Sequence, residues 1–248
     1  MFERPSVKSE GLFYVMLKLR CNMINFLIEN TKYDFAHQLI QSIEFNNWYR
    51  GEKELDYKVS EDISIKDMIP IGSLEFVSKY MEKHYGKSLG KPIHIPKELF
   101  KDEFLLRRCG YASRESIVLD EKMFVKSVDR YKGFLDFVSD INDVPEGNYF
   151  FSEIVEIKAE YRCFIYKGEF RGMHFYAGDF RVFPDIEKIE LMIKSYVDAP
   201  VAYTLDVGVG ERGTFIIEVH PLVSCGLYGF RDNALPYMLS SGFKHLLK

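Results

Sequence analysis

The order of strand-like and helix-like stretches predicts an α+β protein built largely on antiparallel sheets. Three observations carry that reading. Tyr203–Val207 alternates apolar and polar side chains, Gly210–Gly213 makes a turn, and Thr214–His220 is rich in β-branched and aromatic residues, the pattern of a hairpin. A second hairpin pattern joins Tyr161–Tyr166 to Phe170–Tyr176 through Lys167-Gly168. Between and around these lie stretches of helical spacing, such as Asp185–Tyr196 with Ile186, Ile189, Met192 and Ile193.

Size and composition agree with this class. A chain of 248 residues with 47% hydrophobic and 28% charged residues can bury a substantial core in one large or two small domains. The net charge of -4 provides no basic field, which argues against a nucleic-acid coat or a membrane-surface protein. Cys21, Cys109, Cys163 and Cys225 are scattered without a CxxC pair, as expected of buried free thiols in a reducing compartment. The N-terminal stretch lacks the form of a secretion signal and no apolar run reaches the length of a membrane span, so the expected location is the cytoplasm.

Taken in order, residues 1–100 read as an N-terminal lobe and 101–248 as a second domain. Leu12–Leu19 has strand character, and both Asn22–Glu29 and Tyr33–Ile43 carry apolar residues at helical spacing, with Asp34 as a candidate cap. The charged segment Arg50–Asp67 reads as a loop or an exposed pair of strands. Met68–Ser73 then forms a strand-to-helix turn, with Ser73 placed as N-cap of a helix over Leu74–Tyr85 whose stripe is Phe76, Val77, Tyr80 and Met81. Gly86–Pro96 is a connecting loop rich in Gly, Pro and Lys. Met123–Val128 is a strand, Arg130–Phe134 a small loop, Tyr149–Ile157 a strongly β-prone run and Asn233–Leu247 a closing helix.

The residues able to carry chemistry cluster late in the chain. If the hairpin pairs, Asp206 and Glu218 face each other, and His220 shares their face because side chains alternate with period two. Two carboxylates on one apolar patch repel unless protonated, paired with a cation or bound to a metal, and a solvated sheet edge is the plainer alternative. Lys126, inside an apolar strand, is costly unless its ammonium reaches water or an anion; a phosphate contact and an outward-facing lysine both satisfy this. Lys132 beside Gly133 is either a phosphate contact from a loop or a solvated turn residue. Glu160 and Arg162 share a strand face, as a salt bridge or as an anion-binding fork. Ser224–Gly229 supplies small residues that admit a close backbone approach, or simply a tight turn.

The order FVKS (124–127), FFSEIVEI (150–157), EYRCFI (160–165), LDVGV (205–209) and IIEVHPLVSCGLYG (216–229) resembles the ATP-grasp superfamily, most closely the clade named for two arginines and a lysine. The earlier IPIGSLEFV (69–77) is similar to that clade's pre-grasp segment, so the resemblance spans roughly residues 68 to 230. It implies an ATP-grasp fold: two β-rich lobes holding ATP between them, preceded by an α/β N-terminal lobe. It also implies roles: Lys126 on the nucleotide phosphates, and Ser152, Glu153, Ile154 and Val155 as the hinge against adenine. Glu160 would lie near the ribose, Arg162 would be one clade arginine, and Arg181 (with Arg171 as alternative) the other. Asp206 and Glu218 would be magnesium ligands. The second metal-binding strand of the superfamily usually ends Glu-x-Asn, whereas this chain has Glu218-Val219-His220. An imidazole there is a substitute ligand tolerating manganese, a substrate contact, or a mark of altered activity.

The function this implies is an ATP-dependent carboxylate–amine or carboxylate–thiol ligase working through an acylphosphate on small-molecule or peptide substrates. A catalytically quiet ATP-binding protein is the alternative. A nucleic-acid ligase adenylated on Lys126 fits poorly, because Ser127-Val128 follows the lysine where those enzymes have Asp-Gly.

Overall fold

A computed structural model describes residues 23–248. The expected strand at Leu12–Leu19, together with Cys21, lies outside the described residues. The fold is α+β. Among the described residues it contains one parallel sheet of three strands and two antiparallel sheets of four.

The N-terminal part is α/β. Strand β1 (Ile24–Ile28) is central, with β2 (Leu55–Val59) and β3 (Ile69–Ile71) parallel on either side. This corrects the helical expectation for Asn22–Glu29. Phe26, Leu27 and Ile28 are consecutive and fully buried, which suits a parallel strand covered on both faces and leaves no period-two signal. Helix α1 (Asp34–Arg50) follows β1; Asp34 sits in its first turn, where its charge meets the helix N-terminus, rather than capping it. The segment Arg50–Asp67 contributes β2 alone. Helix α2 (Leu74–Tyr85) begins as the sequence predicts: Ser73 Oγ accepts from Phe76 N at 3.2 Å, and Phe76, Val77, Tyr80 and Met81 are its buried residues.

Beyond the short helix α3 (Asp102–Leu105), the first antiparallel sheet has the order β4-β7-β5-β6, from β4 (Cys109–Ser113), β5 (Met123–Ser127), β6 (Leu135–Val138) and β7 (Asn148–Glu153). Neither β4 nor β6 is evident from pattern, since both are short and half-exposed. The run expected through Ile157 ends at Glu153, and 154–158 crosses to the other sheet.

The second antiparallel sheet has the order β11-β10-β8-β9, from β8 (Ala159–Tyr166), β9 (Glu169–Gly178), β10 (Ala202–Gly210) and β11 (Gly213–Pro221). Alternation along β8 and β10 sorts its two faces. Tyr161, Cys163, Ile165, Tyr203, Leu205 and Val207 share a core with helix α4 (Ile186–Ser195), through Ile189, Met192 and Ile193. Arg162, Thr204 and Asp206 therefore belong to the opposite face. Also on that face, Phe164 joins the core that the N-terminal part shares with the last helix, α5 (Leu235–Leu246). No described helix is long and apolar enough to cross a membrane.

Candidate functional site

Register builds the site. Glu218 on β11 stands opposite Asp206 on β10, which stands opposite Arg162 on β8, which stands opposite His174 on β9. Directly opposed residues share a face, so one rung carries a His-Arg-Asp-Glu row across the sheet. His220 lies one rung further along, across from Thr204. Asp206, Glu218 and His220 each offer a ligand atom, all within 4.8 Å of one another.

Each acid already has a cation. Arg162 forks onto Asp206, with Nε donating to Oδ1 at 2.8 Å and Nη2 to Oδ2 at 2.7 Å, while Nη1 donates to Gly226 O at 3.0 Å. Burial opposes the charge on Arg162, but the Asp206 bonds outweigh it and hold the guanidinium protonated. Tyr176 and Tyr228 stack on each other, and the guanidinium carbon lies 5.9 and 5.2 Å from their ring centres. Glu218 is bonded by Lys126 Nζ, which reaches across from β5 in the other sheet, and by His220 Nε2 at 2.8 Å. Burial would raise the Glu218 carboxyl, but His220 and Lys126 prevail and hold it well below the usual carboxylate range.

Between the two antiparallel sheets lies a cavity of about 340 Å³, within the size range of small-molecule sites. Phe124, Leu135, Phe137 and Phe150 wall it on one side and Phe215 and Ile217 on the other. Ser152, Glu153, Ile154 and Val155 close one end, and Lys126 and Glu218 are exposed to its interior. Glu160 also lines it and accepts from Tyr176 Oη at 2.8 Å. The lining thus combines aromatic and aliphatic walls with charged groups, among them Lys126, Glu218, Glu160 and Arg107.

Not every expected residue is brought here. The guanidinium of Arg181 forks onto Asp179, and its side chain is 76% exposed and outside the cavity lining. Arg171 pairs with Asp232 and Glu169, also away from the lining. Lys132, in the β5–β6 turn at φ 52°, is not among the lining residues either. The Glu153 side chain is held at Oε1 by Arg212 at 2.6 Å and by the Arg108 amide at 3.1 Å, and its own amide donates to Arg108 O at 2.8 Å.

Two basic lining residues escaped sequence reasoning. Arg107 is half-buried beside Ser152: its Nε donates to Ser152 Oγ, its Nη1 to Leu105 O and Ile216 O, and its guanidinium lies 4.8 Å from the centre of the Phe215 ring. An Arg-Arg doublet directly after an apolar turn was the available signal. His94 is 6% exposed and lines the cavity with Lys126 and Glu218. Burial, aided by the Lys126 charge, pushes its imidazole down to about 4. A histidine between two isoleucines carries no signal in sequence.

Comparison with known proteins identifies the class first. The fold is similar to that of D-alanine–D-alanine ligase from Bacillus anthracis, at 12% identity and a TM-score of 0.52 over 91% of this chain and 98% of that one. A structure of that enzyme complexed with ATP gives 11% identity and a TM-score of 0.53 over the same shares. An ATP-grasp RimK domain protein from Sphaerobacter thermophilus DSM 20745 gives 12% identity and a TM-score of 0.52 over 89% of this chain and 97% of that one. At such identities the likeness is one of fold. The model of the ATP-grasp domain, family 2 of the clade named for two arginines and a lysine, matches residues 104–237, more than half of the chain, and the protein belongs to that family. No curated protein sequence matches it.

Proposed function

We propose that this protein is an ATP-dependent ligase that joins a carboxylate to an amine, or a thiol, through an acylphosphate. The observation that carries the reading is the cavity itself. A hinge and apolar walls stand at one end, and at the other a lysine and a glutamate from opposite sheets are bonded to each other. Adenine would lie between Phe124, Phe137 and Phe215 against the backbone of Ser152–Val155, and Glu160 would accept from the ribose.

The donor set suits a divalent ion. Asp206 and Glu218 offer hard oxygens and His220 an imidazole, and Asp206 retains lone pairs beyond the two taken by Arg162. Magnesium fits the two carboxylates, and the histidine widens the set toward manganese. Such an ion would neutralise charge on the phosphates. Lys126 would leave Glu218 for a phosphate oxygen, and Arg162, fixed by Asp206, would face charge developing beside the Gly226 loop. The substrate carboxylate oxygen bonds to the γ-phosphorus and the bond to ADP breaks. The amine then bonds to the acyl carbon as phosphate departs with its electron pair, and the amine loses a proton.

The test is incubation with ATP, magnesium and mixtures of amino acids and short peptides, read by nucleotide product and product mass. ADP formation with a ligated mass is expected. AMP formation would refute the acylphosphate route.

A second reading, a quiet ATP-binding protein, is favoured by one observation: Glu218-Val219-His220 satisfies its own carboxylate from Lys126 and His220. Nucleotide binding without ADP formation under any acceptor would select it.

A further inference from the structure

Among the polar lining groups that the ligase reading does not use, His94 stands apart. His94 Nε2 is buried and has no hydrogen-bond partner. A buried polar atom without a partner is costly, and in folded proteins the great majority are satisfied by protein, water or ligand. The imidazole is 94% removed from solvent, at 6% exposure, yet it borders the cavity beside Lys126 and Glu218.

The backbone holds this side chain in place from two directions. His94 O accepts from Val219 N at 2.7 Å, the amide between Glu218 and His220 on β11. The next residue is tied to β4: Ile95 N donates to Tyr111 Oη at 3.0 Å and Tyr111 Oη donates back to Ile95 O at 3.2 Å. Between these clamps His94 takes φ 56°, a region uncommon for residues with a side chain. The backbone at His94 is thus tied to both antiparallel sheets, and the residue lines the cavity together with Lys126 and Glu218.

We propose that His94 is a nucleotide-binding residue whose Nε2–H donates to a phosphate oxygen of the bound nucleotide, beside Lys126. This rests on the proposed nucleotide site. A base set against the hinge directs its phosphates toward Lys126 and Glu218, with which His94 lines the cavity. A neutral imidazole is the donor that suits the place. It adds a directed N–H without a second full positive charge next to Lys126, and it does not compete with Lys126 for Glu218.

The experiment is calorimetric titration of the full-length protein with magnesium-ATP and, separately, with adenosine, in the unaltered chain, His94→Gln and His94→Asn. Glutamine carries its amide nitrogen out to about the reach of Nε2. Asparagine does not, but it tolerates positive φ and so preserves the backbone. His94→Asn should weaken ATP on the order of tenfold and leave adenosine within about twofold, and His94→Gln should recover most of the loss. Equal weakening of ATP and adenosine in His94→Asn would make the histidine part of the cavity wall and overturn the proposal. So would a glutamine variant no better than asparagine. ATP binding that neither variant weakens would overturn the role of His94 while leaving the nucleotide site standing. No ATP binding by the unaltered chain would remove both.

Discussion

Two ion pairs meet at one sheet rung, through Asp206 and its neighbour Glu218, and differ in kind. Arg162 and Asp206 come from adjacent strands of the same sheet, are 8% and 2% exposed, and are locked by a two-bond fork. Lys126 and Glu218 come from different sheets, are 26% and 18% exposed, and border a cavity. A dry forked pair within one sheet can separate only by leaving its charges unpaired, whereas a lysine reaching between two sheets can exchange its partner for a ligand's anion. The first pair ties two neighbouring strands of one sheet. The second is the part that a nucleotide would rearrange.

The largest expected effect comes from breaking the dry pair. Arg162→Met should destabilise the fold by about 3–5 kcal/mol, because it strands the Asp206 carboxylate in the sheet. Urea denaturation measures this, and a loss under about 1 kcal/mol would erase the distinction between the pairs. Lys126→Met should cost the fold far less while weakening magnesium-ATP roughly 10- to 100-fold, the range for a hydrogen bond to a charged group. Calorimetry on the folded variant reads that ratio.

A smaller effect concerns pH. The Glu218 carboxyl is held below its ordinary 4.5, so as pH falls the unfolded chain takes up this proton first. Its pairing therefore contributes stability that is present in full well above about pH 4.5 and lost as pH falls below it. The stability difference between the unaltered chain and Glu218→Gln, measured by urea denaturation, should be largest near neutrality and shrink in acid. A difference that grows in acid would reverse the sign assigned to this group. The smallest effect belongs to Arg181. Its pair with Asp179 is exposed, so Arg181→Ala should leave ATP affinity within about twofold. A large loss would support the clade-arginine role that the family resemblance implies for it.

The contrast between the pairs also shows what a sequence can carry. The hairpin, the Ser73 cap and the facing of Asp206 and Glu218 depend on local spacing, and these are legible in the chain. The partners of those acids are not. Glu218 meets Lys126 across 92 positions and Asp206 meets Arg162 across 44, pairings that exist only once the sheets assemble. The strand Ile24–Ile28 hides for a related reason, since burial on both faces replaces alternation with a plain apolar run. The strands Cys109–Ser113 and Leu135–Val138 carry Gly, Ser and Asp and lie half in solvent, so neither propensity nor pattern marks them. Arg107 and His94 acquire their places through contacts with Phe215 and Val219, more than a hundred residues away.

The exchange of Lys126 from Glu218 to a nucleotide is the central claim, and magnesium dependence tests it most directly. ATP affinity should be measured by calorimetry with and without magnesium, in the unaltered protein and in Glu218→Gln. The unaltered protein should bind ATP much more tightly with magnesium, and the variant should lose most of that gain. Equal magnesium dependence in both would contradict the assignment of Glu218 to the metal and leave its bond to Lys126 a purely structural tie.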